Sequence, residues 1–311
     1  MSASADHDTV DERITVDVDD LAARLFGPTS PVVRVEFGAL SHPGKVRLNN
    51  EDHFSVVRRR RSREVLLTNL PDAAVPKSLH DDVYAMAVAD GIGGAAFGEL
   101  ASMLALQAGW DLTTHAFKWH FQMNESEAEE LKELLKVYGQ LIHQKLQDEA
   151  AHDPRLAGMG TTITGALTIG IDAFIAHVGD SRAYLFRDGI LQQLTRDHTL
   201  AQQLNDAGVL PSVAAASRRM QNMLVNCLGG SRSEVDVDVH QVQLADGDRL
   251  LLCTDGLTDM VDDAEISQTL QHRADPQDAC QILVERALNQ GGRDNVTVVL
   301  ACYGSPLASR H

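Results

Sequence analysis

The chain has 311 residues, of which 44% are hydrophobic and 23% charged, and a formal net charge of −17. This suits a soluble globular protein and argues against nucleic acid or an anionic membrane as the main partner. No apolar run approaches the ~20 residues that cross a bilayer. Cys227, Cys253, Cys280 and Cys302 are scattered without a C-x-x-C pair, so zinc ribbons and disulfide frameworks are not expected. The N-terminus lacks the basic region and apolar core of a signal peptide, and a cytoplasmic setting is expected.

Residues 1–31 are polar and acidic and predict a mobile arm with a short helix over 19–26. Strand-like alternation then begins, with Val33, Val35 and Phe37 on one face. The run Arg58-Arg59-Arg60-Arg61-Ser62-Arg63 predicts a solvated strand end or loop. Two prolines make 66–79 an irregular excursion, and 83–89 is a short buried strand that stops at Asp90.

Helical spacing follows over 97–120, with Leu100, Leu104 and Ala108 on one stripe. A second helix is expected from Ser126, where Ser126 and Glu129 form a capping-box pattern, down to Pro154. Residues 161–195 hold several strand candidates broken by Gly170, Gly179 and the hairpin turn Asp188-Gly189. Consecutive hairpins predict an antiparallel sheet rather than a βαβ series. The segment 197–228 is polar and partly helical. Strands near 235–244, 249–254 and 296–303 follow, with a helix over 274–289 between the last two. No linker divides this pattern, so one α+β domain over 32–304 is expected, with 305–311 as a tail.

The chemistry sits in short acidic motifs. Asp90, Asp180 and Asp255 stand where apolar runs end, and Asp294 opens one. A carboxylate at the end of a buried strand is costly unless its charge is compensated. Several together repel one another, and a hard divalent cation with oxygen ligands is the usual remedy. Each Asp-Gly pair also has a simple-turn reading, preferred for Asp188-Gly189. Residues 91–96 fit a G-x-G-x-x-A dinucleotide fingerprint, with Asp111 further on. Against that, Asp90 would set a carboxylate where pyrophosphate should lie, and the required βαβ repeats are missing.

Arg47-Leu48-Asn49-Asn50-Glu51-Asp52, Ala89-Asp90-Gly91-Ile92-Gly93-Gly94, Met159-Gly160-Thr161-Thr162, His177-Val178-Gly179-Asp180-Ser181-Arg182, Cys253-Thr254-Asp255-Gly256 and Asp294-Asn295-Val296-Thr297-Val298 occur in that order. Together they resemble the ordered motifs of the metal-dependent protein phosphatase family (type 2C), in its bacterial branch, over about 250 residues. The resemblance implies a four-layer α-β-β-α sandwich, two antiparallel sheets face to face with helices outside. It implies a protein serine/threonine phosphatase with two Mn²⁺ or Mg²⁺ ions. In that scheme Asp90 bridges the ions, the Gly91 carbonyl binds the second, and Asp255 and Asp294 complete the first. Asp180 with Asp255 would form a third, weaker site, and Glu51 and Asp52 would orient metal-bound waters. Arg47 matches the phosphate-binding arginine, whose guanidinium grips two oxygens at once.

The implied step is in-line attack of metal-activated water on phosphorus, at catalytic residues Arg47, Asp90 and Asp255. The family's histidine general acids are absent: Ile92 and Ala95 stand at those positions. A metal-bound water is the first choice of acid, with His42 as a substitute. Phosphorylated proteins, made by a serine/threonine kinase, are the expected partners, and a monomer is expected. The segment 197–228 matches a mobile flap in which Arg218 and Arg219 could meet substrate or only solvent, and the Arg58–Arg63 run has a second reading as a docking strip. A pseudophosphatase is the rival that keeps the fold, but it should have lost a ligand aspartate or Arg47.

Overall fold

Strand β1 (Arg34–His42) runs antiparallel to the whole of β13 (Val296–Gly304), from Arg34 opposite Gly304 to His42 opposite Val296. The computed structural model describes residues 34–62, 64–71, 80–93, 95–116 and 125–304. The expected arm with its helix over 19–26, the tail, most of the excursion before β3 and Arg63 lie outside the described residues.

The remaining strands are β2 (His53–Ser62), β3 (His80–Ala89), β4 (Gly91–Ile92), β5 (Gly160–Thr161), β6 (Ile163–Ile169) and β7 (Asp172–Val178). They continue with β8 (Arg182–Arg187), β9 (Ile190–Gln193), β10 (Leu228–Gly229), β11 (Asp238–Gln243) and β12 (Arg249–Cys253). One five-stranded sheet has the order β1-β13-β12-β8-β9 and a second the order β11-β7-β6-β3-β2. Every neighbouring pair is antiparallel. The dinucleotide reading fails here, because β3 lies antiparallel to both its neighbours.

Strand β12 shows why its sequence is apolar without alternation. Leu250 and Leu252 point into the core between the sheets, with Met86, Ile175, Val299 and Ala301. Leu251 and Cys253 point the other way, against Ile266, Leu270 and Leu283 of the outer helices. A strand covered on both faces needs apolar residues at every position. The outer helices of this sheet are Asp263–His272 and Pro276–Asn289. Helix α1 (Ala95–Ala116) and helix α2 (Glu125–His152) cover the other sheet. This is the expected α-β-β-α sandwich.

Some elements differ from expectation. Helix Asp263–His272 has only Ile266 and Leu270 as buried aliphatics, and its start is set by Asp262, whose side chain accepts from the Glu265 N–H. A third, small sheet, β10-β5-β4, is built from two-residue strands, too short to show a period. The arginine run lies in β2, an edge strand, where Arg60 makes two hydrogen bonds to Asp82 directly across on β3. Charge on an exposed edge discourages pairing with another chain. The turn Asp188-Gly189 joins β8 to β9 with φ of 51° and 80°, the left-handed geometry a two-residue hairpin needs.

Candidate active site

Each acidic motif is placed by backbone contacts at one end of the sheets. Asp90 follows β3, and its N–H donates to Thr162 Oγ1 at 3.0 Å. Its carbonyl accepts from the Thr162 N–H at 2.9 Å and from Thr161 Oγ1 at 2.8 Å. Thr162 Oγ1 also lies 2.8 Å from Ser181 Oγ, which ties Asp90 to the turn that carries Asp180. Gly179 opens that turn at φ 112°, and a Cβ there would stand 2.5 Å from Thr162 Cγ2. The motif Met159-Gly160-Thr161-Thr162 therefore works through hydroxyl clamps.

Thr254 ends β12 and opens the short helix Asp255–Thr258. Its Oγ1 donates to Asp52 Oδ2 at 2.8 Å and accepts from the Thr297 N–H at 3.0 Å. Asp294 Oδ1 accepts from the Asn295 N–H, and its Oδ2 lies 2.6 Å from Arg47 Nη2. One carboxylate thus caps its own turn and meets Arg47. Asn295, next in the chain, is buried and ties several segments together. Its Oδ1 accepts from the Glu51 N–H at 2.8 Å, while Nδ2 donates to the carbonyls of Pro43 at 2.9 Å and Asn49 at 2.8 Å. One side chain thereby seats the loop that carries Arg47, Glu51 and Asp52.

Glycines let these segments close. A Cβ on Gly91 would stand 2.1 Å from the Gly98 carbonyl oxygen, and one on Gly98 would stand 2.0 Å from Glu51 Oε2. Helix α1 can therefore approach both β4 and the Glu51 carboxylate.

The electrostatics are those of uncompensated like charges. Burial, followed by repulsion from Asp255 and Asp294, pushes the Asp52 carboxyl up to about 7. Burial also pushes Asp255 up to about 7, with Asp294 adding repulsion. Asp90 and Asp180 are raised well above the ordinary range, again by burial first. Asp90 is further repelled by Asp52, Asp255, Asp180 and Asp294, and Asp180 by Asp255 and Asp197. Burial raises Glu51 as well, with Arg47 opposing. Asp52 Oδ1 and Asp255 Oδ1 are buried with no hydrogen-bond partner. Buried orphaned oxygens among mutually repelling carboxylates fit hard cations as compensating charge. Among the described residues no three Asp, Glu, His or Cys side chains stand in ready coordination geometry. The fit therefore rests on charge and orphaned oxygens, and suits ions that keep several waters.

Glu51, Asp52, Asp90, Asp180, Asp255 and Asp294 share this electrostatic cluster, together with Arg47. His42 is half-buried, and its Nδ1 accepts from the Gly44 N–H at 2.9 Å. Cys253 is fully buried and its thiol is pushed up to about 12 by that burial, which fits a packing role. The segment expected as a flap holds helices Leu200–Asp206 and Arg218–Gln221. It is tied down at its start and at its second helix: Arg182 forks onto Asp197 at 2.9 and 2.6 Å, and Arg218 pairs with Asp259 at 2.8 Å. Arg218 is thus engaged within the chain, while Arg219 is exposed.

Comparison with known proteins agrees with this fold. The family described as Protein phosphatase 2C matches residues 68–290. The serine/threonine phosphatase stp of Listeria innocua is 31% identical over 260 residues, covering 83% of this chain and 91% of its own length. The crystal structure of the Mycobacterium tuberculosis serine/threonine phosphatase PstP/Ppp superposes with a TM-score of 0.68 at 33% identity, over 87% of this chain and 99% of that one. A structure of the PstP catalytic domain in complex with two manganese ions gives a TM-score of 0.65 at 31% identity, over 88% and 100% of the two chains. The chain belongs to the protein phosphatase 2C family.

Proposed function

We propose that this chain is a protein serine/threonine phosphatase that hydrolyses phosphoserine and phosphothreonine in proteins at a binuclear Mn²⁺ or Mg²⁺ centre. The observation that carries the reading is the cluster of Asp52, Asp90, Asp180 and Asp255. All four are raised by burial, Asp52, Asp90 and Asp180 further by Asp255 and Asp255 by Asp294, and two of their oxygens lack partners. Asp90 would serve both ions, with the Gly91 carbonyl on one and Asp255 and Asp294 on the other. Asp180 with Asp255 would hold a third, weaker ion. When bound, such ions supply Lewis acidity, activating water and offsetting phosphoryl charge.

The chain's own groups do the rest. The Arg47 side chain is 53% exposed at the rim, able to take two phosphate oxygens in a fixed fork. Asp52 is held by Thr254, so its second oxygen stays turned to the buried cluster, where it can accept from water. Glu51, beside Gly98, can do the same from the opposite wall. In this reading water protonates the leaving alcohol, with His42 as the substitute. The pseudophosphatase reading finds no support, since Arg47 and all four ligand aspartates are present. The same reading takes the enzyme as a cytoplasmic monomer acting on the products of a serine/threonine kinase. No helix among the described residues is long and apolar enough to cross a membrane.

The test is hydrolysis of a phosphothreonine peptide by chelator-stripped protein with and without added Mn²⁺. Phosphate release that needs the metal supports the reading, and release that persists undiminished in excess chelator refutes it.

A further inference from the structure

A cavity of about 450 Å³ lies between helices α1 and α2 and the outer face of the second sheet, away from the acidic cluster. Its floor is a row of small residues in register across four strands. Ser55 faces Ala87, Ala87 faces Gly165, and Gly165 faces Ala176. Its roof includes Gly109, within α1, where an added Cβ would meet nothing within 4 Å. Glycine inside a helix is unfavourable relative to alanine, and here a methyl group would fit. The space is therefore a consequence of residue choice on both walls.

Four polar side chains line it: Ser55, Arg59, Trp110 and Tyr138. The hydroxyl of Tyr138, a residue only 6% exposed on α2, is buried in the wall without a hydrogen-bond partner. A buried hydroxyl of this kind is costly unless something accepts its proton. Trp110, 51% exposed, also lines the cavity, and its Nε1 donates to Ser55 Oγ at 2.8 Å. The volume falls in the range of small-molecule sites, with an apolar body and few polar fixing points. Apolar cavities of this kind favour apolar occupants over water.

We propose that this cavity is a binding site for an aliphatic ligand with one small oxygen-bearing head group, a medium-chain alcohol or fatty acid in type. The chain lies along the Ala87-Gly165-Ala176 row, and the head oxygen accepts from Tyr138. The site goes beyond the phosphatase reading and does not depend on it.

Trp110 provides the readout, since Trp119 is the one other tryptophan in the chain. In a Trp119→Phe background, 1-decanol and decanoate are titrated while Trp110 emission and melting temperature are followed. A saturable emission change with a rise in melting temperature is expected for at least one probe, and the tighter probe identifies the head group. Gly109→Leu should fill the space and abolish binding while leaving phosphatase activity unchanged. Tyr138→Phe removes a hydroxyl that has no partner in the fold, so it should fold normally and bind the probe about threefold to tenfold more weakly. Failure of both probes to change either signal would overturn the proposal. So would undiminished binding in a folded Gly109→Leu, or in Tyr138→Phe.

Discussion

Arg47 Nη2 and Asp294 Oδ2 are 2.6 Å apart, although 247 positions separate them in the chain. The pair joins the proposed phosphate-binding group to a proposed metal carboxylate. Their side chains are 53% and 38% exposed, so the pair contributes no more than about 1 kcal/mol. A phosphate dianion can therefore compete for the guanidinium at little cost. Arg47→Ala is expected to lower kcat/KM for a phosphothreonine peptide by about 10- to 100-fold, the value of a charge-assisted contact. Arg47→Lys should recover only part, because an ammonium cannot fork. Steady-state kinetics of the two variants check this.

The acidic cluster predicts a pH dependence whose sign is opposite to the usual acid denaturation. Asp52 and Asp255 are raised from the ordinary 3.8 to about 7. A carboxyl raised on folding holds its proton more tightly in the folded chain. Its stabilising contribution is full below the unfolded value and is lost as pH rises through the folded one. In chelator, melting temperature relative to Asp255→Asn should fall as pH rises from about 4 to about 7. Mn²⁺ should reverse that fall, and its binding should release protons. Scanning calorimetry across this range, with and without metal, reads all three effects.

Asn295 holds three backbone groups of the 43–51 loop through one amide. Asn295→Ala leaves those groups without partners and should cost about 1–3 kcal/mol in chemical denaturation. It should also lower kcat, because Arg47, Glu51 and Asp52 share that loop. Unchanged stability would remove the amide from the account.

Gly98→Ala is a sharper probe of the wall behind Glu51. The new Cβ would stand 2.0 Å from Glu51 Oε2 and 2.8 Å from the Gly91 carbonyl oxygen, so both must shift. Weaker Mn²⁺ affinity, read by calorimetric titration, is expected with the fold retained.

Asp90, Asp180 and Asp255 were legible in the sequence because each stops a run of buried apolar residues, and that interruption needs a chemical reason. The antiparallel sheet was legible from the Asp188-Gly189 turn and its neighbouring hairpins, and the four-layer sandwich from the resemblance of the ordered motifs. What holds the site was not legible. Asn295 reaches Pro43 across 252 positions and Thr254 reaches Asp52 across 202, and contacts between distant segments leave no local period. Helix Asp263–His272 escaped because two buried aliphatics make too faint a stripe. Strand β2 was masked by its own arginines, whose charge suits an exposed edge and hides the alternation.

The central claim is that Asp90 gathers two ions that turnover requires. It is tested most directly by counting Mn²⁺ bound to chelator-stripped wild type and to Asp90→Asn by isothermal calorimetry, beside activity on a phosphothreonine peptide. The account predicts two tight ions and metal-dependent phosphate release in the wild type. It predicts loss of both in a variant that still folds. Two tight ions and undiminished turnover in Asp90→Asn would contradict it.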